Sequence, residues 1–384
     1  MNFQFATATK IMFGPGRLDE IARIVVPYGQ RVFIVTRQKI EEAAPVVQRL
    51  EAAGIDTTVF PVDQEPSIDI VSAGVDLLKQ ADSQVVISFG GGSTIDTGKA
   101  IAAMATNPGS PLDYLEVVGL GKSLTHQPLP FVAIPTTAGT GAEVTKNAVL
   151  AVPEHKVKVS LRSDAMLANV ALVDPELTYS APPSVTATTG MDALTQVIEP
   201  YVSHLANPMT DAIAHEGIRR GAHAIRRVYQ NGQDAEAREA MALTSLFGGL
   251  ALANAKLGAV HGFAGPLGGM YHAPHGAICA VLLPPVMQIN VAALEARAPD
   301  HPSLARYVEV ARLLTGDPNA SVADGVTWAR QLRDDLNIPG LETYGVQHDH
   351  FADIISKASR SSSMKGNPIT LTEDELGTIL EGAM

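Results

Sequence analysis

The sequence predicts a two-part fold: an α/β half followed by an all-helical half. Three observations carry this reading. Short β-branched apolar runs alternate with helix-length patterns up to about residue 175, as parallel βαβ units require. After Pro182 and Pro183, Ala-rich stretches with helical periodicity take over and few β-branched runs remain. The chain has 384 residues, 46% hydrophobic and 18% charged, enough for two globular domains of roughly 100–200 residues each. The boundary is expected within 175–183, giving domains 1–180 and 181–384.

In the first half, RVFIVT (31–36) reads as a buried strand, and a helical stretch from Glu41 to Ala53 ends at Gly54, a helix stop. A second strand covers Thr57 to Val62 and a second helix Asp69 to Gln80. QVVISF (84–89) is the next strand, followed by Phe131 to Pro135 and Val170 to Asp174. In the second half, helices are predicted over Ser184–Ser203, Thr210–Val228, Asp234–Asn254 and Val322–Leu336. Near the end, Thr372-Glu373-Asp374-Glu375 has the form of a capping box opening a last helix.

Composition excludes some functions. Lys+Arg 28 against Asp+Glu 40 gives a net charge of −12 with no basic block, so no broad surface for nucleic acid is expected. The single cysteine, Cys279, has no partner for an intrachain disulfide or a zinc-finger pair. The N-terminus lacks the basic and apolar regions of a signal peptide. No apolar run approaches the roughly 20 residues of a membrane span. A soluble cytoplasmic protein is expected.

Two loops carry the chemistry of the first half. Gly90-Gly91-Gly92-Ser93-Thr94-Ile95-Asp96 follows QVVISF directly. Three glycines allow close backbone approach, and a helix starting there offers free N–H groups to a pyrophosphate. The alternative is a plain strand-to-helix turn with Ser93 as N-cap and Asp96 as its capping-box partner. Pro135-Thr136-Thr137-Ala138-Gly139-Thr140-Gly141 also follows a buried strand. Two such loops at strand carboxyl ends favour a nucleotide.

In the second half, His261, His272 and His275 fall within fifteen residues. Asp192 and Gln196 stand four apart, on one helix face. A carboxylate with imidazoles can bind Zn²⁺ or Fe²⁺ and leave a position open for substrate. Spacing alone leaves ordinary hydrogen-bonded histidines as the alternative.

Four blocks in order, GGGSTIDTGKA (90–100), PTTAGTGAEVT (135–145), GMDALTQVIEPYVS (190–203) and AVHGFAGPLGGMYHAPHGA (259–277), with FGPG at 13–16, resemble the iron-containing (group III) alcohol dehydrogenases. The resemblance spans nearly the whole chain. It implies the dehydroquinate synthase-like architecture: an N-terminal nucleotide-binding α/β domain, a helical C-terminal domain, and a cleft between them for NAD(P) and a divalent metal.

Carried across, the metal ligands fall on Asp192, Gln196, His261 and His275. Gln196 replaces the usual histidine, and an amide oxygen is a weaker ligand than imidazole. Gly265 stands where many relatives have a histidine near the substrate, which leaves His272 as the candidate for the proton route. Cofactor contacts are implied at Gly91, Gly92, Ser93, Asp96, Thr136, Thr137, Thr140, Thr145 and Lys158. At the first strand's end, Arg37 stands where relatives selective for NAD often have an Asp, so NADP is expected to be accepted, with preference for it the stronger form of that expectation. The implied reaction is metal-assisted hydride transfer between a nicotinamide and a small alcohol or aldehyde, in a homodimer or larger assembly. Rival readings are a metal-free reductase of the maleylacetate reductase type, a dehydroquinate synthase-like lyase, and a binding protein without catalysis.

Overall fold

The computed structural model describes residues 2–155, 157–271 and 273–384. The chain forms two compact units. One comprises Ala6–Thr137 and Gly141–Tyr179; the other comprises Ser180–Met384, Ala138–Thr140 and the opening residues through Phe5.

The first unit contains β1 (Lys10–Phe13), β2 (Arg31–Arg37), β3 (Asp56–Val62), β4 (Val85–Gly90), β5 (Phe131–Pro135), β6 (Asn147–Val152), β7 (Val157–Arg162) and β8 (Val170–Val173). Its helices are α1 (Ile21–Val25), α2 (Ala44–Glu51), α3 (Ile68–Gln80), α4 (Gly92–Met104) and α5 (Pro111–Tyr114). Six strands pair in parallel in the order β1-β8-β5-β4-β2-β3. All residues of β4, β5 and β8 are buried. Burial on both faces explains why these strands read as continuous apolar runs and not as alternating patterns.

From β2 the chain moves outward to β3, whereas from β4 it moves the other way to β5. The carboxyl ends of β2 and β4 therefore flank a topological switch point, where open α/β sheets place their ligands. The β6–β7 antiparallel hairpin, which the sequence reading leaves unassigned, is half exposed. Gly98 fixes how α4 lies on β4, because a Cβ there would stand 1.9 Å from Ser88 Oγ.

The second unit contains α6 (Pro183–Val202), α7 (Pro208–Gln230), α8 (Ala235–Ala255), α9 (Ala259–Tyr271), α10 (His275–Arg297), α11 (Ser303–Thr315), α12 (Val322–Asp335), α13 (Phe351–Ala358) and α14 (Glu373–Glu381). The four helices expected here all form. The Thr372–Glu375 capping box opens α14.

One expectation is corrected. α10 has 23 residues and contains an 18-residue window of mean hydropathy 1.9, long and apolar enough to cross a membrane, but 83% of that window is buried within the fold. An all-round apolar helix is what the centre of a helical core demands. Ile278 to Leu283 are packed on every side by the other helices.

Gly98→Ala is expected to destabilise the protein by about 1–3 kcal/mol through overpacking. Adding Ser88→Ala should recover part of that loss in denaturant unfolding, because the clashing hydroxyl is gone. Strict additivity of the two substitutions would contradict the contact.

Candidate metal centre and nucleotide loop

On α6, Asp192, Gln196 and Glu199 lie at i, i+4 and i+7, and all three are buried. Two carboxylates inside an apolar helical core need partners. The partners come from α9 and α10. α8 and α9 meet at 101°, with Lys256 in the left-handed region at φ 59°, so the first turn of α9 starts afresh beside α6. Glu199 accepts the Val260 N–H on Oε1 at 2.7 Å and meets His261 Nδ1 through Oε2 at 2.6 Å. One carboxylate thus caps α9, where helix N–H groups favour negative charge, and orients the imidazole.

His261 Nε2 lies 3.3 Å from Asp192 Oδ1. His275, the first residue of α10, places Nε2 3.5 Å from the same oxygen. Cys279, one turn further along α10, places Sγ 3.6 Å from Asp192 Oδ1 and 3.7 Å from His261 Nε2. One donor atom from each of the four residues lies within 4.8 Å of every other. Asp192, His261 and Cys279 are buried, while the His275 side chain is 46% exposed, so the cluster opens on the His275 side.

The electrostatics fit a cation. Burial works against ionised Asp192, but the His275 and His261 rings and the Cys279 hydrogen bond outweigh it and hold the carboxyl below its usual range. Burial likewise opposes a charged His261, yet the Cys279 sulfur, Glu199 and the Asp192 hydrogen bond push it well above its ordinary value. The cluster thus favours an ionised carboxylate at Asp192 and positive charge beside it at His261. A carboxylate, two imidazoles and a thiol are donors suited to a divalent transition metal.

Of the ligands expected from sequence, Asp192, His261 and His275 come together. Gln196 donates through Nε2 to the Thr140 carbonyl at 2.7 Å. His272 lies outside the described residues. Sequence reasoning missed Glu199 and Cys279. Their signals are the i+7 spacing from Asp192 and the i+4 spacing from His275, each placing them on the same helix face.

In the other unit, Gly91 is the N-cap of α4 and no side chain caps it. Ser93 lies inside the first turn, so the capping-box alternative does not form. Its expected partner is engaged elsewhere: Asp96 Oδ2 accepts the Val149 N–H at 3.0 Å and Oδ1 lies 3.4 Å from Lys99 Nζ. Burial raises the Asp96 pKa and lowers that of Lys99, each partly offset by the other.

The two loops expected to hold phosphates are joined, since the Thr136 N–H donates to Gly90 O at 3.0 Å. A Cβ on Gly91 would sit 3.2 Å from Thr137 Oγ1. An uncapped helix start beside such a narrow cradle suits a pyrophosphate. Gly92, Ser93, Thr136 and Thr137 border it. Thr145, by contrast, accepts Lys99 Nζ on its hydroxyl at 3.0 Å and donates to Ala142 O at 3.1 Å. Lys158 pairs with Glu65. Arg37 ends β2 with its side chain 59% exposed and Nε 3.3 Å from Glu42.

Residues 8–175 match the family model for iron-containing alcohol dehydrogenase, and residues 186–384 match that for the Fe-containing alcohol dehydrogenase family, C-terminal. Choline dehydrogenase of Bacillus subtilis is 35% identical over 96% of this chain and 92% of its own length. A crystal structure of 1,3-propanediol oxidoreductase superposes with a TM-score of 0.93 at 32% identity, covering 100% of both chains. Sulfoacetaldehyde reductase from Bifidobacterium kashiwanohense, solved in complex with NAD+, gives 0.88 at 31% identity over 100% of this chain and 99% of its own. The chain belongs to the iron-containing alcohol dehydrogenase family, oxidoreductases acting on CH–OH groups.

Two measurements test this geometry. Glu199→Gln should weaken metal affinity by about 10–100-fold, as loss of a carboxylate behind a ligating histidine does, read by competition with a chelator. Burial pushes Glu143, beside the second loop, up from 4.5 to about 7. A carboxyl raised on folding favours the folded state fully below its unfolded pKa and loses that contribution as pH rises through the folded value. Glu143→Gln should therefore gain on the wild type by about 3 kcal/mol between pH 4.5 and 8. A stability difference flat across that range would show that Glu143 titrates normally.

Proposed function

We propose that this chain is a metal-assisted, NAD(P)-dependent dehydrogenase that interconverts small alcohols and aldehydes, with Asp192, His261 and His275 holding the metal. The observation that carries the reading is the convergence of the His261 and His275 imidazoles on the buried Asp192 carboxylate. A divalent ion bound there supplies Lewis acidity, and a nicotinamide supplies or accepts hydride. Glu199 holds the His261 ring so that Nε2 faces the cluster. The α4 N–H groups with Gly91 and Gly92 bind the cofactor's pyrophosphate, and the surrounding sheet fixes their position.

Gln196 is assigned to its hydrogen bond with Thr140 and not to the metal. His272 is the proposed proton relay, and among the described residues an added Cβ at Gly265 would meet nothing within 4 Å. Asp96 and Thr145 serve the cofactor indirectly, by fixing α4 against the loops through Lys99. A metal-free reductase would leave Asp192 buried among imidazoles without a function for that cost. The cytoplasmic location expected from the sequence's composition and the homodimeric or larger state expected from the resemblance belong to the same reading.

Protein loaded anaerobically with Fe²⁺ or Zn²⁺ should oxidise NADH or NADPH on addition of short aldehydes, and His261→Ala should abolish this. Absence of turnover across primary aldehydes and alcohols with bound metal would reject the reading. Arg37, at the switch point, is assigned to the 2′-phosphate of NADP. Arg37→Asp should lower the ratio of kcat/KM for NADPH over NADH by at least about tenfold, ~1.4 kcal/mol. An unchanged ratio would leave Arg37 to its pair with Glu42.

A further inference from the structure

The metal set carried over by resemblance has a weak member, the neutral amide of Gln196, and the structure offers a stronger donor beside Asp192 and His261. We infer that Cys279 is the fourth metal ligand of this chain, giving an Asp192–His261–His275–Cys279 centre in which a thiolate does what an imidazole does elsewhere. The inference rests on the proposed metal centre and changes its composition.

The distances support it. Bonds of about 2.0 Å to oxygen or nitrogen and about 2.3 Å to sulfur, at tetrahedral angles, separate donors by roughly 3.3 Å and, where sulfur is one of them, roughly 3.5 Å. The observed separations are 3.3 Å and 3.5 Å from Asp192 Oδ1 to the two imidazoles, and 3.6 Å and 3.7 Å from the sulfur to Asp192 and His261. His275 and Cys279 stand at i and i+4 on α10, so one helix face delivers both.

Chemistry points the same way. A thiolate is charged and soft, and competes better than an amide oxygen for zinc or ferrous iron. Metal uptake converts the thiol to a metal-bound thiolate and releases one proton. Asp192 and Cys279 together then balance the two positive charges of the ion. Such a donor set shifts preference toward zinc relative to a carboxylate with imidazoles alone.

X-ray absorption on the zinc-loaded wild-type protein tests this without relying on turnover. One sulfur scatterer at about 2.3 Å is expected. The chain contains one cysteine, so a thiolate shell is assignable to Cys279. In Cys279→Ser the sulfur shell should vanish, whereas Gln196→Ala should keep it. Zinc should also protect the wild-type thiol from alkylation, with the rate falling at least tenfold. Bound zinc with only nitrogen and oxygen neighbours, and a thiol alkylated equally fast with or without zinc, would overturn Cys279 as a ligand and leave the metal centre intact. Failure of the protein to take up zinc or iron at all would overturn both.

Discussion

Two carboxylates two turns apart on one helix face, Asp192 and Glu199, are sealed into the helical core, and their need for partners organises much of what surrounds them. An uncompensated buried charge is among the most destabilising features a fold can hold. Here α9 answers Glu199 with its own first-turn N–H and the His261 ring, while α10 presents His275 and Cys279 to Asp192. Because α10 is apolar along most of its length and buried in the core, the end that carries these donors is positioned by packing. The site inherits its rigidity from that helix.

The nucleotide loop depends on a different constraint. Lys99, buried in α4, donates to Thr145 O, Thr145 Oγ1 and Asn147 O. It ties the glycine-rich turn to the segment that follows the second loop. Residues whose type suits a polar ligand are in this way engaged in a buried network, and the backbone of Gly91 and Gly92 is left at the uncapped start of α4. The division is economical, since main-chain N–H groups at a helix start bind anions without a side chain's conformational entropy.

Most of the fold was legible because its period is strong. The buried parallel strands are uninterrupted β-branched runs, and α6, α7, α8 and α12 announce themselves by repeating apolar positions and capping residues. The β6–β7 hairpin escaped because it is half exposed and outside the main sheet. α10 escaped as a core helix because a segment apolar on every side has no amphipathic period to detect. At the site, Asp192, His261 and His275 were visible as residue types in motifs. Glu199 was not, since a glutamate in a helix ordinarily reads as surface. Cys279 was read as a bare count of one, whereas its importance lies in standing one turn after His275. The alternative reading of Ser93 as a cap fails because Gly91, two residues earlier, takes that role.

The sharp corner between α8 and α9 makes one side chain answerable for two things. Glu199 accepts the Val260 N–H through one oxygen and meets the His261 ring through the other, so the start of α9 and the aim of the imidazole share a single fulcrum. A change at that carboxylate disturbs both together, and neither can be altered alone at this position.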